Sequence, residues 1–244
     1  MKKITFYLDF ISPYAWLAFE ELPQVLIGLS YSVTYKPLLF AALLKHHGQQ
    51  AALAVERSAQ VKEEPAGRAG DTEQGALAPR LLGPAEIPAK RDWTYRHVQW
   101  LAHSKGIALD LPAAHPFNPL GLLRLAVATD ARGQPNRYVC EALFKQVWVG
   151  GADAADPTRL AAITRQLAPA RDPADDAVKV QLREHTDKAI AHGVFGVPAF
   201  EVDGKVFWGL DGLPMLRAYL DGDAWFDGPK WSAVAALPVG TARK

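Results

Sequence analysis

Ile4-Thr5-Phe6-Tyr7-Leu8-Asp9-Phe10-Ile11-Ser12-Pro13-Tyr14 contains the change of period that decides the fold. Ile4, Phe6, Leu8 and Phe10 alternate with Thr5, Tyr7 and Asp9, as a strand requires. Tyr7 makes the second face partly apolar as well, which predicts a central strand rather than an edge. Ser12-Pro13 then opens a helix, because serine is a favoured N-cap and proline suits the first helical position. Trp16, Leu17, Phe19, Glu20 and Leu22 carry the helical pattern, and Tyr31, Val33 and Tyr35 alternate again up to Pro37. The opening segment therefore reads β-α-β, a parallel pair with a right-handed crossover.

Downstream, Leu38 to Lys45 reads as a short helix. From Gln49 to about Pro84, Ala, Glu, Gln, Gly and Arg dominate, with Gly67, Gly70, Gly75 and Pro79 as breakers. That composition predicts a mobile insertion, with one helix around Ala51–Lys62. Helical periodicity returns after Pro88 and ends near Gly106, and Pro112, Pro116 and Pro119 mark a loop. Helices are predicted at Leu120–Thr129, Arg137–Val147, Thr158–Leu167 and Ala174–His192. The period then returns to two: Ala199–Val202 and Lys205–Trp208 flank Asp203-Gly204, which suits a type I′ hairpin. Leu213–Leu220 closes with a helix.

The order β-α-β, helices, β-β-α predicts an α/β protein of thioredoxin-like fold with a large all-α insertion between the two halves. The halves must meet, since neither buries its faces alone. Residues 1–45 and 193–222 form the thioredoxin-like domain in this reading, 46–84 the mobile insertion, 85–192 the helical domain and 223–244 a weakly specified tail.

Composition narrows the function. The 244 residues carry a net charge of +1, which gives no electrostatic case for a nucleic-acid or anionic-membrane partner. Met1-Lys2-Lys3 ahead of an apolar run imitates a secretory signal, but Asp9 and Ser12-Pro13 break the run, so it reads as mature protein. No uninterrupted apolar run reaches the ~18–20 residues of a membrane span. Cys140 stands alone, which excludes an intramolecular disulfide, a C-x-x-C pair and a cysteine-rich zinc site, and favours a reducing, cytoplasmic setting. Cys140 itself reads as a small buried apolar residue, and a thiol–disulfide oxidoreductase fails on this count.

No metal is expected, since His46-His47 are adjacent and His185 and His192 lie about two helical turns apart. Trp93, Trp100 and Trp148 read as core residues; Trp208, beside Asp211, is the exception.

Two features carry chemistry. Ser12 is a helix N-cap by local sequence, yet it also stands at the carboxyl edge of the sheet, where open α/β folds bind ligands and a helix N-terminus favours anions, thiolates included. It has no G-x-S-x-G context. Gly193-Val194-Phe195-Gly196-Val197-Pro198-Ala199-Phe200 either starts a strand on proline or turns on a cis Val197–Pro198 bond that offers free backbone polar groups to a peptide-like ligand.

Phe6-Tyr7-Leu8-Asp9-Phe10-Ile11-Ser12-Pro13-Tyr14, Gly193-Val194-Phe195-Gly196-Val197-Pro198 and Phe207-Trp208-Gly209-Leu210-Asp211 together resemble the 2-hydroxychromene-2-carboxylate isomerases, relatives of kappa-class glutathione transferases in the DsbA-like branch of the thioredoxin superfamily. The resemblance spans nearly the whole chain outside Gln49–Pro84 and the last residues. It implies glutathione as cofactor. Ser12 would contact and activate the glutathione sulfur, Val197 beside Pro198 would offer its backbone to the cysteinyl part, and Asp211 with Gly212 would lie at the γ-glutamyl ammonium.

Gln49 stands near a position where relatives often carry an asparagine. Lys90, Tyr95 and His115–Asn118, with Trp208, fall where the family lines its substrate pocket. The family often has arginine after the aspartate, where this chain has Gly212, which weakens any γ-glutamate contact. Lys90, Arg91 and Lys45 are candidate cations for a substrate carboxylate, each also readable as a solvated surface charge.

The resemblance implies a glutathione-dependent isomerase that interconverts 2-hydroxychromene-2-carboxylate and trans-o-hydroxybenzylidenepyruvate in aromatic compound degradation, acting on a small aromatic carboxylate. A homodimer is implied by the relatives only. Two alternatives stay open: a kappa-class-like glutathione transferase conjugating electrophiles, and a non-catalytic thioredoxin-fold binding module.

Overall fold

In the computed structural model, residues 1–48 and 88–237 are described. Strand β1 (Lys2–Leu8) pairs in parallel with β2 (Tyr31–Pro37) and antiparallel with β3 (Ala199–Val202), which in turn pairs antiparallel with β4 (Lys205–Trp208). The order β2-β1-β3-β4 makes β1 a central strand, as its two-sided apolar pattern requires. Ile4, Phe6 and Leu8 face the main core, while Tyr7 is fully buried on the opposite face against Leu38, Leu43, Val194 and Val197.

Helix α1 (Pro13–Val25) makes the crossover between β1 and β2, and α2 runs from residue 40 to residue 48, where the described stretch ends. The helical segment comprises α3 (Pro88–Lys105), α4 (Leu120–Ala128), α5 (Arg137–Trp148), α6 (Pro157–Leu167) and α7 (Asp176–Ala191). Helix α8 (Leu213–Leu220) follows the hairpin. The hairpin turns on Asp203 and Gly204 with φ of 51° and 76°, both left-handed, as a type I′ turn demands. This is the thioredoxin-like α/β fold with an inserted helical segment, as the order of elements predicts. The expected helix at Ala51–Lys62, and the 46–84 insertion beyond residue 48, lie outside the described residues.

The main core joins both parts of the chain. Phe10, Trp16 and Phe19 pack against Phe144 of α5 at ring separations of 4.9, 5.8 and 5.3 Å. Trp148 and Cys140 are fully buried there, as expected. Trp93 and Trp100 correct the sequence reading: they are 65% and 61% exposed. Helix α3 approaches α1 through Val98 and Ala102 against Leu17, and at helical spacing both tryptophans fall on the opposite face. There they flank His97 with ring planes inclined by 12° on each side.

The tail is more specified than its composition suggests. A 3-10 turn (Ala224–Asp227) buries Phe226 against Phe207 and Tyr219, and Trp231 from α9 (Pro229–Ala233) joins them. Among the described residues, no helix is long and apolar enough to cross a membrane.

Candidate functional site

The site forms where β1 ends. Ser12 caps α1 in extended backbone and accepts a hydrogen bond from the Ala15 N–H at 3.2 Å. Only 8% of Ser12 is exposed. Its hydroxyl donates to the Val197 carbonyl at 3.4 Å, the long limit for such a bond. The helix N-terminus adds partial positive charge at the same place.

Val197 precedes a cis peptide bond to Pro198, and Pro198 passes its carbonyl to the Gly209 N–H at 2.9 Å. The Val197 N–H has no partner among the described residues. Ser12 thus reaches the carbonyl side of that same residue.

Asp211 stands exposed just ahead of α8. Gly209 holds φ of 89°, and a Cβ there would collide with Asp211 Oδ1. The glycine therefore both permits the turn and leaves room for the carboxylate. A Cβ on Gly212 would lie 2.5 Å from the Trp208 carbonyl oxygen, so Gly212 serves close backbone packing. Burial, with the Asp211 charge second, raises the Tyr14 phenol above its ordinary pKa, so Tyr14 on α1 belongs to the same neighbourhood. Its hydroxyl bonds His97 Nδ1 at 2.9 Å. Trp208 is half-exposed and leans on Phe195 at 4.9 Å, two exposed rings beside the Val197 turn.

The remaining expected residues divide. Tyr95 and His115 meet: the phenol oxygen lies 2.7 Å from His115 Nδ1, and His115 Nε2 lies 2.8 Å from the Ile11 carbonyl. Asn118 is exposed and accepts the Leu120 N–H at 3.0 Å, the bond of a turn leading into α4. Lys90 is exposed in the first turn of α3, Arg91 pairs with Asp92, and Lys45 is exposed on α2. Gln49 lies outside the described residues. A cleft of about 450 Å³ opens at the opposite end of α1, between Leu22, Leu26, Val33 and Asn136, and contains none of these groups.

Two residues escaped the sequence reading. Asp9 is fully buried, accepting the Ile11 N–H at 3.2 Å and the Phe40 N–H at 2.9 Å. Burial pushes its carboxyl up to about 7 against the opposing pull of those backbone donors. The signal was present: a carboxylate inside an apolar stretch needs partners. Trp148 donates its indole N–H to the Phe10 carbonyl at 2.9 Å, a contact 138 residues apart that no local pattern encodes.

Against known proteins, the DSBA-like thioredoxin domain family model matches residues 3–221. The chain is 24% identical over 227 residues to a 2-hydroxychromene-2-carboxylate isomerase of Sphingobium xenophagum, covering 90% of this chain and 98% of that protein. It is 26% identical over 235 residues to glutathione S-transferase kappa 1 of Rattus norvegicus, covering 90% of each. A solved 2-hydroxychromene-2-carboxylate isomerase superposes with a TM-score of 0.66 at 21% identity, covering 96% of this chain and 98% of that one.

Proposed function

The chain belongs to the DSBA-like thioredoxin domain family, and from that premise we propose that it is a glutathione-dependent isomerase that interconverts 2-hydroxychromene-2-carboxylate and trans-o-hydroxybenzylidenepyruvate. One observation carries the reading: a serine hydroxyl, not a thiol, caps the first helix and reaches the carbonyl of Val197, whose N–H has no partner among the described residues. Sulfur chemistry at this position would have to arrive with a ligand, since the chain's one cysteine, Cys140, is buried elsewhere.

The residues present fit glutathione. The Val197 N–H and carbonyl would pair with the cysteinyl backbone, and the Asp211 carboxylate would take the γ-glutamyl ammonium. Ser12 Oγ–H would leave its long bond to Val197 for the sulfur, exchanging a weak neutral hydrogen bond for a charge-assisted one. With the N-terminus of α1 behind it, that donor would lower a thiol pKa from about 8.5 toward neutrality. Bound glutathione would supply a thiolate that turns a conjugated double bond into a rotatable single bond and is returned unchanged. Phe195 and Trp208 offer an apolar wall for an aromatic ring. Asn118 would serve the substrate side, and Lys90, Arg91 or Lys45 its carboxylate, whereas Tyr95 and His115 bond each other and the Ile11 carbonyl. We place the protein in the cytoplasm, as a homodimer like its relatives in the resemblance.

The test mixes protein, glutathione and the chromene and follows the absorbance of the open-chain pyruvate. No glutathione-dependent change with the wild type, or full activity in Ser12→Ala, sinks the reading. The kappa-class relatives of rat and Caenorhabditis elegans favour a second reading, a transferase that releases the conjugate. Mass spectrometry separates the two: an isomer keeps its mass, whereas a conjugate gains that of glutathione.

A further inference from the structure

The two peptide units that lead into Ser12 are bound at all four polar ends. In the Phe10–Ile11 unit, the carbonyl accepts from Trp148 Nε1–H at 2.9 Å, and the N–H donates to Asp9 Oδ1 at 3.2 Å. In the Ile11–Ser12 unit, His115 Nε2 lies 2.8 Å from the carbonyl, and the N–H donates to the Asp9 carbonyl at 3.1 Å. A carbonyl only accepts, so Nε2 must carry a proton. Nδ1 of the neutral ring then accepts, and Tyr95 O–H, 2.7 Å away, donates to it in preference to the His115 carbonyl at 3.2 Å. Burial lowers the His115 pKa against the opposing pull of the Ile11 carbonyl, which favours this neutral form. Both nitrogens of His115 are thereby committed to the protein.

We propose that Tyr95 and His115 form a positioning pair: they fix the Ile11–Ser12 peptide plane, and through it the direction of Ser12 Oγ, rather than touching substrate. The catalytic part of this inference rests on the glutathione reading above; the structural part does not. The peptide plane sets the axis about which Ser12 Cβ swings, so its tilt moves the hydroxyl directly. A misplacement on the order of 1 Å at such a group costs up to about 10²-fold in rate.

The full chain is tested as wild type, Tyr95→Phe, His115→Gln and His115→Leu. Glutamine can still donate a side-chain N–H to the Ile11 carbonyl, whereas leucine cannot. Nitrogen-15 NMR of the ligand-free protein should find His115 protonated at Nε2 alone, with the Nδ1 signal shifting in Tyr95→Phe. Ser12 amide exchange should quicken in His115→Leu and stay near wild type in His115→Gln. A proton on Nδ1, or unchanged Ser12 exchange in His115→Leu, overturns the proposal.

In turnover, His115→Leu should lose about 10- to 100-fold in kcat with the substrate KM held within about twofold, and His115→Gln should recover most of it. A raised substrate KM with unchanged kcat would make His115 a substrate contact and overturn the proposal. If the wild type neither binds nor uses glutathione, the functional reading fails while the NMR result still decides the positioning role. Should His115→Leu not fold, Tyr95→Phe and His115→Gln carry both measurements.

Discussion

Ser12 Oγ lies 3.4 Å from the carbonyl oxygen of Val197, across 185 positions of sequence. The bond is long enough to be given up cheaply, and it joins the first helix to the turn ahead of β3.

Replacing Ser12 separates its two roles. Ser12→Ala removes the cap and should cost about 1 kcal/mol of stability, read by denaturant midpoint, while turnover falls at least about tenfold. Ser12→Cys tests the electrostatics without glutathione. Its thiol should titrate below the free value of about 8.5 by ultraviolet absorbance of the thiolate, because the helix N-terminus favours the anion. A value at or above the free one would remove the physical basis for thiolate activation here.

Asp211 should act in binding. Asp211→Asn keeps the shape and removes the charge, so calorimetry should show glutathione affinity weakened by about tenfold or more, the worth of one charge-assisted bond. Unchanged affinity would exclude an ammonium contact at this position.

Gly196 is held small by Trp208: a Cβ on it would lie 2.5 Å from the indole Nε1. Gly196→Ala should therefore displace the Trp208 ring from Phe195, change its fluorescence and raise the aromatic-substrate KM. Thermal unfolding should shift by only a few degrees, since the ring is half-exposed. An unaltered emission spectrum would count against the contact.

Asp9 gives a pH dependence of definite sign. Its folded pKa is raised to about 7, above an unfolded value of about 3.9. The folded protein keeps this proton after the unfolded chain has released it. The stabilising contribution is therefore fully present below about pH 4 and is lost as pH rises through about 7. Asp9→Asn lacks this dependence, so its stability relative to wild type should rise between pH 4 and pH 7 in urea titrations. A constant difference across that window would contradict the buried-acid assignment.

Cys140 is fully buried, and burial pushes its thiol pKa far up, with Arg137 opposing weakly. Ellman's reagent should leave it unlabelled in native protein and label it fully in guanidinium.

The sequence made the fold legible wherever local period and punctuation agreed. The switch at Ser12-Pro13 and the Asp203-Gly204 turn are local devices, and each appears where its chemistry requires. Three short motifs name Ser12, Val197 and Asp211 as candidate site residues, and the Ser12–Val197 contact brings two of them together. Trp93 and Trp100 were misread because hydrophobicity alone does not say which face of α3 meets a neighbour. The packing of Val98 and Ala102 against Leu17 decides that. The Asp9, His115 and Trp148 bonds to residues 10 and 11 were illegible, since backbone carbonyls and amides carry no sequence signature.

Those bonds bear on modularity. The β-α-β and β-β-α halves look like a unit that could be lifted out, with the helices between them as an appendage. Yet Trp148 and His115 fill acceptors of the loop after β1, and Trp16 of α1 donates in return to the Ala108 carbonyl at 3.0 Å. Excising the helices would leave the carbonyls of Phe10 and Ile11 and the indole of Trp16 without partners inside a hydrophobic surface. The minimal thioredoxin core of this chain is therefore not a transplantable part, and a shortened version would need new donors at residues 10 and 11 before it could hold Ser12 in place.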